Sequence, residues 1–271
     1  MKTRIITGVI AASVFLTVLI LPWTMVLTVA TSLIALLAVY ELFSVTGMLK
    51  HGGLESVAMV FAVLAPFFSR MSSAASVTTF IVYMVLLCGI ILLYHQEISV
   101  KKTIVVFIVS MVITLALSCM SYLRTLPAHG LFYVILALLI AWMADTGAYF
   151  VGTFFGKHKL CPKLSPKKTV EGLVGGIIVS LLFSVIAAFI YQIAVLKDTA
   201  SISYGGVLLL ALVGSLLSVA GDLFASLIKR VCGVKDFGKI FPGHGGVLDR
   251  FDSLLFVFPV VYLVATQKPL I

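Results

Sequence analysis

Long apolar stretches separated by short polar breaks follow one another along the whole chain. Each stretch approaches the roughly 20 residues that an α-helix needs to cross the hydrocarbon layer of a membrane. Nine such stretches can be distinguished, at residues 5–21, 23–43, 54–69, 74–94, 103–122, 129–150, 172–193, 204–228 and 251–266. The pattern therefore predicts an all-α, polytopic bundle of about nine transmembrane helices.

The composition supports a membrane protein. Of the 271 residues, 62% are hydrophobic and only 11% are charged, and the mean hydropathy is +1.22. A soluble domain of this length would have too few polar side chains to cover its surface. The lipid bilayer is therefore an expected partner. Nucleic acid is not expected despite the net charge of +9, because nothing in the sequence resembles a nucleic-acid-binding module.

The lysines and arginines predict the orientation. With nine crossings and a cytoplasmic N-terminus, fifteen of the nineteen fall on the inside, and only Arg70, Arg124, Lys197 and Lys268 fall on the outside. This asymmetry is the one that the positive-inside rule predicts. We therefore expect a cytoplasmic N-terminus and an external C-terminus.

Ionisable residues divide the chain into two regions. Residues 1–128 contain five apolar helices with few ionisable groups, and we expect them to form a scaffold with a dimerisation role. Residues 129–271, with four helices, hold two loops rich in glycine and lysine and most of the unusual carboxylates. We expect this second region to be the catalytic one.

Two carboxylates lie inside predicted helices. Asp145 interrupts the sixth helix, and a charge at membrane depth costs about 2.5 kcal/mol or more, so such residues usually face a cavity or a partner. Asp222, Ser226 and Lys229 follow the spacing i, i+4, i+7 and so share one face of the eighth helix. A buried ion pair at Asp145 and a polar stripe bonded within the bundle remain alternative interpretations.

A glycine pair precedes the last two carboxylates of the chain. Gly245 and Gly246 predict a turn whose backbone N–H groups are able to hold phosphate oxygens. Asp249, Arg250 and Asp252 follow within six residues, and Asp249 and Asp252 are expected on one face at the start of the ninth helix. The turn, the acids and the arginine together indicate a phosphate site.

The other basic loop, at residues 165–171, carries Lys167 and Lys168 and is expected to cap the seventh helix. Topology places both loops and most carboxylates at the cytoplasmic ends of the helices. Carboxylates that hold Mg²⁺, beside cations that neutralise phosphates, suit metal-assisted phosphoryl or nucleotidyl transfer. A cation-coupled transporter that uses Asp145 and Asp222 is the alternative from another class.

Residues 226–252 resemble the signature of the phosphatidate cytidylyltransferases, also called CDP-diacylglycerol synthases. Thirteen positions match that signature at the family's spacing: Ser226, Lys229, Arg230, Lys235, Asp236, Gly238, Pro242, His244, Gly245, Gly246, Asp249, Arg250 and Asp252. Segments 145–149, 156–157 and 165–172 are similar to a second conserved region of the same family. The first five helices match only as generic apolar spans.

The resemblance implies that CTP and phosphatidic acid react to give CDP-diacylglycerol and pyrophosphate. It implies a Mg²⁺ requirement, with room for a second, monovalent or divalent cation, and a homodimer. It also implies a bacterial cytoplasmic (inner) membrane with the active site facing the cytoplasm. The nearest rival is a CTP-dependent kinase of a polyprenol or similar lipid alcohol, which would need a base to activate its hydroxyl.

The resemblance also implies roles for individual residues. Asp222 and Asp249 would bind metal, supported by Asp145 and Asp252. Phosphates would be held by Lys167, Lys168, Lys229, Arg230 and Arg250, and positioned by Ser226, His244, Gly245 and Gly246. Within this group, the expected catalytic set is Asp222, Asp249, Lys229, Ser226 and Asp145.

Overall fold

The computed structural model describes residues 2–47, 53–96, 99–197, 199–240 and 245–271, and its architecture is helical. Its α-helices are α1 (Lys2–Ile20), α2 (Thr24–Val45), α3 (Gly53–Leu64), α4 (Ser73–Leu93), α5 (Val100–Arg124), α6 (Gly130–Phe155), α7 (Val170–Tyr191), α8 (Tyr204–Val231), α9 (Leu248–Phe251) and α10 (Leu254–Gln267). A 3₁₀ segment, Ala65–Arg70, extends α3, and a π-helical turn, Gln192–Leu196, extends α7.

The helices confirm an integral membrane protein of the all-α class. Within the described ranges, seven segments are long and apolar enough to cross a membrane, namely Thr24–Val45, Gly53–Arg70, Ser73–Leu93, Thr103–Arg124, Gly130–Phe155, Val170–Leu196 and Tyr204–Val231. Helix α10 is apolar but shorter. The count of nine crossings and the sides of the two termini stay predictions.

The predicted ninth helix is divided in the structure. Instead of one helix over 251–266, the four-residue α9 is followed by a turn at Asp252 and Ser253, and α10 begins at Leu254. The Ser253 N–H donates to Asp252 Oδ1 at 2.8 Å. This local bond competes with continuation of the helix and separates the segment that carries Asp249 from α10.

The chain forms two compact units. The first, which we call unit 1, comprises Met1–Thr125 and Cys232–Phe251. In it α2 packs against α3 and α5, and α5 also contacts the 3₁₀ segment. Its core contains large, fully buried side chains such as Phe43, Phe61 and Leu117. The segment between α8 and α10 thus belongs to the same unit as the N-terminal helices.

The second, unit 2, comprises Leu126–Val231 and Asp252–Ile271. Helices α6 and α7 pack along much of their length, and α8 and α10 complete the unit. Small residues permit this approach: a Cβ added at Gly176 would lie 2.5 Å from the carbonyl oxygen of Ala144. Such contacts are typical of membrane helix packing. The assignment of scaffold and catalytic roles to residues 1–128 and 129–271 stays a prediction.

A small hairpin stands where the sequence predicted a loop before α7. Strands β1 (Lys159–Cys161) and β2 (Ser165–Thr169) pair antiparallel, with Lys159 opposite Thr169 and Cys161 opposite Ser165. At the end of β2 the Thr169 hydroxyl accepts the N–H of Gly172 at 3.1 Å and so caps α7. The expected capping is therefore present, and the hairpin gives Lys167 and Lys168 a defined backbone.

Candidate active site

Helix α8 carries the polar face that its sequence spacing predicts. The Ser226 hydroxyl donates to Asp222 Oδ1 at 3.5 Å, one turn apart. Lys229, in the last turn of the same helix, is only 9% exposed. An acid, a hydroxyl and a cation thus follow one another along α8 towards its C-terminal end.

Lys168 of β2 reaches this face. Its Nζ lies 2.5 Å from Asp222 Oδ2, and the two side chains are 21% and 29% exposed. The sequence predicted that Lys168 would hold phosphate and that Asp222 would hold metal, and it gave no signal that the two pair with each other. The pairing brings the hairpin onto α8 and buries Lys168 Nζ against the Asp222 carboxylate.

Asp252 adds a second carboxylate to unit 2. Its Oδ2 lies 3.8 Å from Lys229 Nζ, and its backbone approaches α8 closely, since a Cβ at Gly221 would lie 2.7 Å from the Asp252 carbonyl oxygen. Gly221 therefore permits the contact that brings Asp252 beside the polar face of α8.

The Asp252 carboxyl has an unusual environment. It precedes α10 and lies outside every helix of spanning length. Its pKa is raised to about 7: burial is the largest cause, the negative charges of Asp222 and Asp145 act in the same direction, and Lys229 and the Ser253 N–H oppose the rise. The carboxylates of α6 and α8 are thus close enough to influence Asp252 electrostatically. Asp145 itself is half-buried on α6.

Asp249 lies in unit 1 and organises the glycine turn. Its Oδ2 accepts the N–H of Phe237 at 2.8 Å and the N–H of Gly246 at 2.9 Å. Gly245 has φ of +85°, a conformation that favours glycine. Because the Gly246 N–H is already bonded to Asp249, its expected contact with phosphate would require an exchange of partners. The phosphate role of the glycine pair stays a prediction.

Glu41 is the residue of this region that the sequence analysis missed. It is 2% exposed on α2, and its carboxylate accepts the N–H groups of Val247 and Leu248 at 3.0 and 2.9 Å. The sequence did indicate that Glu41 is unusual, because burying a carboxylate in an apolar helix costs free energy at this position as it does at Asp145.

The remaining candidates are cations and one histidine. Lys167 and Arg250 are exposed, and Arg230 Nε donates to the carbonyl oxygen of Leu164 in the hairpin at 3.5 Å. His244, which was predicted to position phosphates, lies outside the described residues. The exposed cations on the hairpin and on α9 are accessible to an anionic ligand.

The carboxylates suit Mg²⁺ in chemical type. Among the described residues no group of three His, Cys, Asp or Glu side chains is arranged to hold a metal ion. Mg²⁺, however, is usually bound by one or two carboxylates together with substrate phosphates and water. Asp222 and Asp252 offer such a pair in unit 2. Asp249 belongs to unit 1, so a common pocket for all the predicted metal ligands stays a prediction.

Comparisons with known proteins agree with the signature. The model of the cytidylyltransferase family matches residues 2–267. The chain is 37% identical to the phosphatidate cytidylyltransferase of Bacillus subtilis (strain 168) over 275 residues, which cover 97% of each protein. It is 35% identical to the protein of the same name from Staphylococcus haemolyticus (strain JCSC1435) over 272 residues, covering 98% of this chain and 100% of that relative. The similarity therefore includes the N-terminal helices.

Proposed function

Because the chain belongs to the cytidylyltransferase family, we propose that it transfers the cytidylyl group of CTP to phosphatidate by a Mg²⁺-dependent, in-line displacement at the cytoplasmic face of a bacterial inner membrane. CTP and phosphatidate give CDP-diacylglycerol and pyrophosphate. The structural observation that best supports the mechanism is the cluster of Asp222, Asp252, Lys168 and Lys229 in unit 2. In this cluster each carboxylate, a possible metal ligand, lies beside a lysine, a possible phosphate ligand.

The bond changes follow from the substrates. A phosphate oxygen of phosphatidate forms a bond to the α-phosphorus of CTP, and the bond from that phosphorus to the β-phosphate oxygen breaks. Pyrophosphate leaves with the electron pair. Since a phosphate monoester is already ionised at neutral pH, the attacking group needs no strong general base. The lipid-alcohol kinase would need such a base for its hydroxyl.

The protein's residues have two tasks in this reaction. Asp222 and Asp252 would hold Mg²⁺, which when bound would stabilise negative charge on the phosphates. Lys168 and Lys229 would bind phosphate oxygens and neutralise the charge that develops on pyrophosphate. Lys168 would exchange Asp222 for a phosphate when substrate arrives; because its Nζ is buried against Asp222, this exchange would require the lysine side chain to move.

Two further features belong to the proposal. The excess of lysine and arginine in the predicted inside segments supports a cytoplasmic active site. A homodimer, and a second cation beside Mg²⁺, are supported by the resemblance in the signature region. Crosslinking in native membranes at several expression levels of the protein tests the dimer. A dimer should give a crosslinked pair at every level, whereas a monomer would give crosslinked products only by random collision, in amounts that fall with the protein concentration.

The test of the function uses purified protein in mixed micelles with CTP tritiated in its cytidine, phosphatidate and Mg²⁺. Tritium in a chloroform-soluble lipid, together with release of pyrophosphate, supports cytidylyl transfer. Release of CDP with a phosphorylated polyprenol, when that alcohol is supplied, would support the kinase instead. Ion flux in liposomes without turnover of CTP would support the transporter.

A further inference from the structure

The strongest unassigned feature is the enclosed carboxylate of Glu41 in unit 1. Glu41 lies one turn before the end of α2 at Val45 and is 2% exposed. Its Oε1 accepts the Val247 N–H at 3.0 Å and its Oε2 accepts the Leu248 N–H at 2.9 Å. Both oxygens are therefore bound by consecutive N–H groups of a segment more than two hundred residues away in sequence.

Two glycines close around the same carboxylate. A Cβ added at Gly238 would overlap Glu41 Oε1, and one added at Gly246 would overlap Glu41 Oε2. Neither glycine has a positive φ, so close approach to Glu41, and not backbone conformation, explains the lack of a side chain. Both ends of the segment that includes Phe237 and Val247 are thus fitted to this one side chain.

Asp249 completes the arrangement. Its Oδ2 accepts the N–H groups of Phe237 and Gly246, while Glu41 accepts those of Val247 and Leu248. Two buried carboxylates therefore hold four backbone N–H groups of residues 237–248. Hydrogen bonds to a charged acceptor are about twice as strong as neutral ones, so this network fixes where Asp249 lies.

Glu41 also borders a space of ligand size. An open cavity of about 550 Å³ lies beside it, and Tyr40, Lys235 and Lys239 form part of its lining. This volume falls within the range of about 300–1,000 Å³ that is typical of small-molecule sites. Glu41 thus lies between a ligand-sized cavity and the turn that carries Asp249.

From this geometry we infer that Glu41 is a positioning residue for cytidylyl transfer that acts through Asp249. The inference rests on the proposed function. Glu41 holds the backbone at Val247 and Leu248 so that Asp249 keeps a single orientation for the reaction. A glutamine at position 41 would keep the size of the side chain, but its NH₂ group would face a backbone N–H, and one of the two bonds would be lost.

The variant test compares Glu41→Gln with Thr31→Val. Thr31 is a matched control because it lies on the same helix, is fully buried, and its hydroxyl donates to the carbonyl oxygen of Leu27 within α2. For Glu41→Gln we expect kcat to fall about tenfold or more, because a small misplacement of a reacting group is costly. The KM values for CTP and phosphatidate should change less than about threefold.

The same experiment includes thermal unfolding in detergent. We expect Glu41→Gln to unfold at a lower temperature than the parent, because a buried N–H loses its acceptor, but to remain folded at the temperature of the assay. We expect Thr31→Val to keep the parent's kcat. A Glu41→Gln enzyme with kcat within about twofold of the parent would overturn the inference. So would a fall in kcat that Thr31→Val reproduces. A parent protein that makes no CDP-diacylglycerol would instead contradict the proposed function.

Hydrogen exchange on the parent protein gives a second test that does not depend on how a variant folds. The amides of Val247 and Leu248 should exchange slowly, and in Glu41→Gln the loss of protection should be confined to a peptide covering 245–251. Free exchange of these amides in the parent would show that Glu41 does not hold them, and would overturn the inference whatever the turnover assay gives.

Discussion

Lys168 and Asp222 illustrate, at the scale of single residues, how a cation and a carboxylate stabilise each other in the site. Asp222 lies within an apolar helix, where an unpaired charge is costly, and Lys168 lies 2.5 Å from it. The pair holds a buried Nζ and a part-exposed carboxylate at one place in unit 2. When substrate binds, its phosphates would replace Asp222 as the partner of Lys168, and the Asp222 carboxylate would then be free to bind a metal ion.

Asp222→Asn should reduce turnover to less than about one hundredth of the parent's, because the variant removes a charged oxygen ligand while preserving shape. The protein should still insert and unfold at a similar temperature. The measurement is initial rate with saturating CTP at several Mg²⁺ concentrations. Substantial residual turnover in Asp222→Asn would remove that residue from the proposed metal site. Asp249→Asn should also lose turnover, and substantial residual turnover there would remove Asp249 from the metal ligands that the signature predicts.

Lys168→Gln should raise the KM for CTP by about tenfold, since one charge-assisted phosphate contact is lost. Lys163→Gln is the matched control, because Lys163 is an exposed lysine of the same hairpin without an assigned role. Initial rates over a range of CTP concentrations measure the effect. Equal KM values for the two variants would show that Lys168 serves only to pair with Asp222.

The sequence was sufficient to predict which polar residues share a face of α8, but it did not predict which residues of other elements pair with them. Helical periodicity predicts that Asp222, Ser226 and Lys229 share a face, and the bond between Ser226 and Asp222 confirms this for those two residues. The pairing of Lys168 with Asp222 joins positions 54 residues apart, and local spacing contains no information about such a contact. For the same reason the role of Glu41 was not recognised.

At the scale of elements, apolar stretches predict the long helices well and the short elements poorly. Segment lengths of about 20 residues leave few alternatives to a membrane helix. The hairpin of β1 and β2 escaped prediction because its strands are three and five residues long and contain few apolar residues. The break at Asp252 and Ser253 coincides with one local hydrogen bond, whereas the apolar residues that follow it predict a continuous helix.

The close packing of α6 on α7 leads to a stability prediction. Gly176→Ala should destabilise the protein by about 1–3 kcal/mol, because the added methyl group meets backbone and not a flexible side chain. Gly205→Ala is the control, since a Cβ there meets nothing within 4 Å. Unfolding in mixed detergent measures both. Equal stability of the two variants would contradict the packing of these helices.

At the scale of the whole molecule, the signature region is shared between the two units. Residues 232–251 belong to unit 1, whereas Ser226, Lys229 and Asp252 belong to unit 2. Sequence proximity alone suggests one continuous loop with one task. The family match over residues 2–267 fits this division, because the segment with Asp249 depends on contacts with the N-terminal helix α2.

The orientation of the whole molecule gives a further prediction. Lys197, exposed at the end of the π-helical turn, lies on the predicted outer side, so Lys197→Ala should leave kcat and KM within about twofold of the parent's. Initial rates measure this directly. Loss of activity comparable to that of Asp222→Asn would show that the predicted topology is wrong.

In the proposed reaction the α-phosphorus of CTP, with its cytidine, is transferred to phosphatidate. The most direct measurement supplies the purified protein, in parallel reactions, with CTP labelled at the α-phosphorus or at the γ-phosphorus. Cytidylyl transfer would place label in the lipid only from the α position, with γ label released as pyrophosphate. Label that enters a lipid from the γ position, or from neither position, would contradict it.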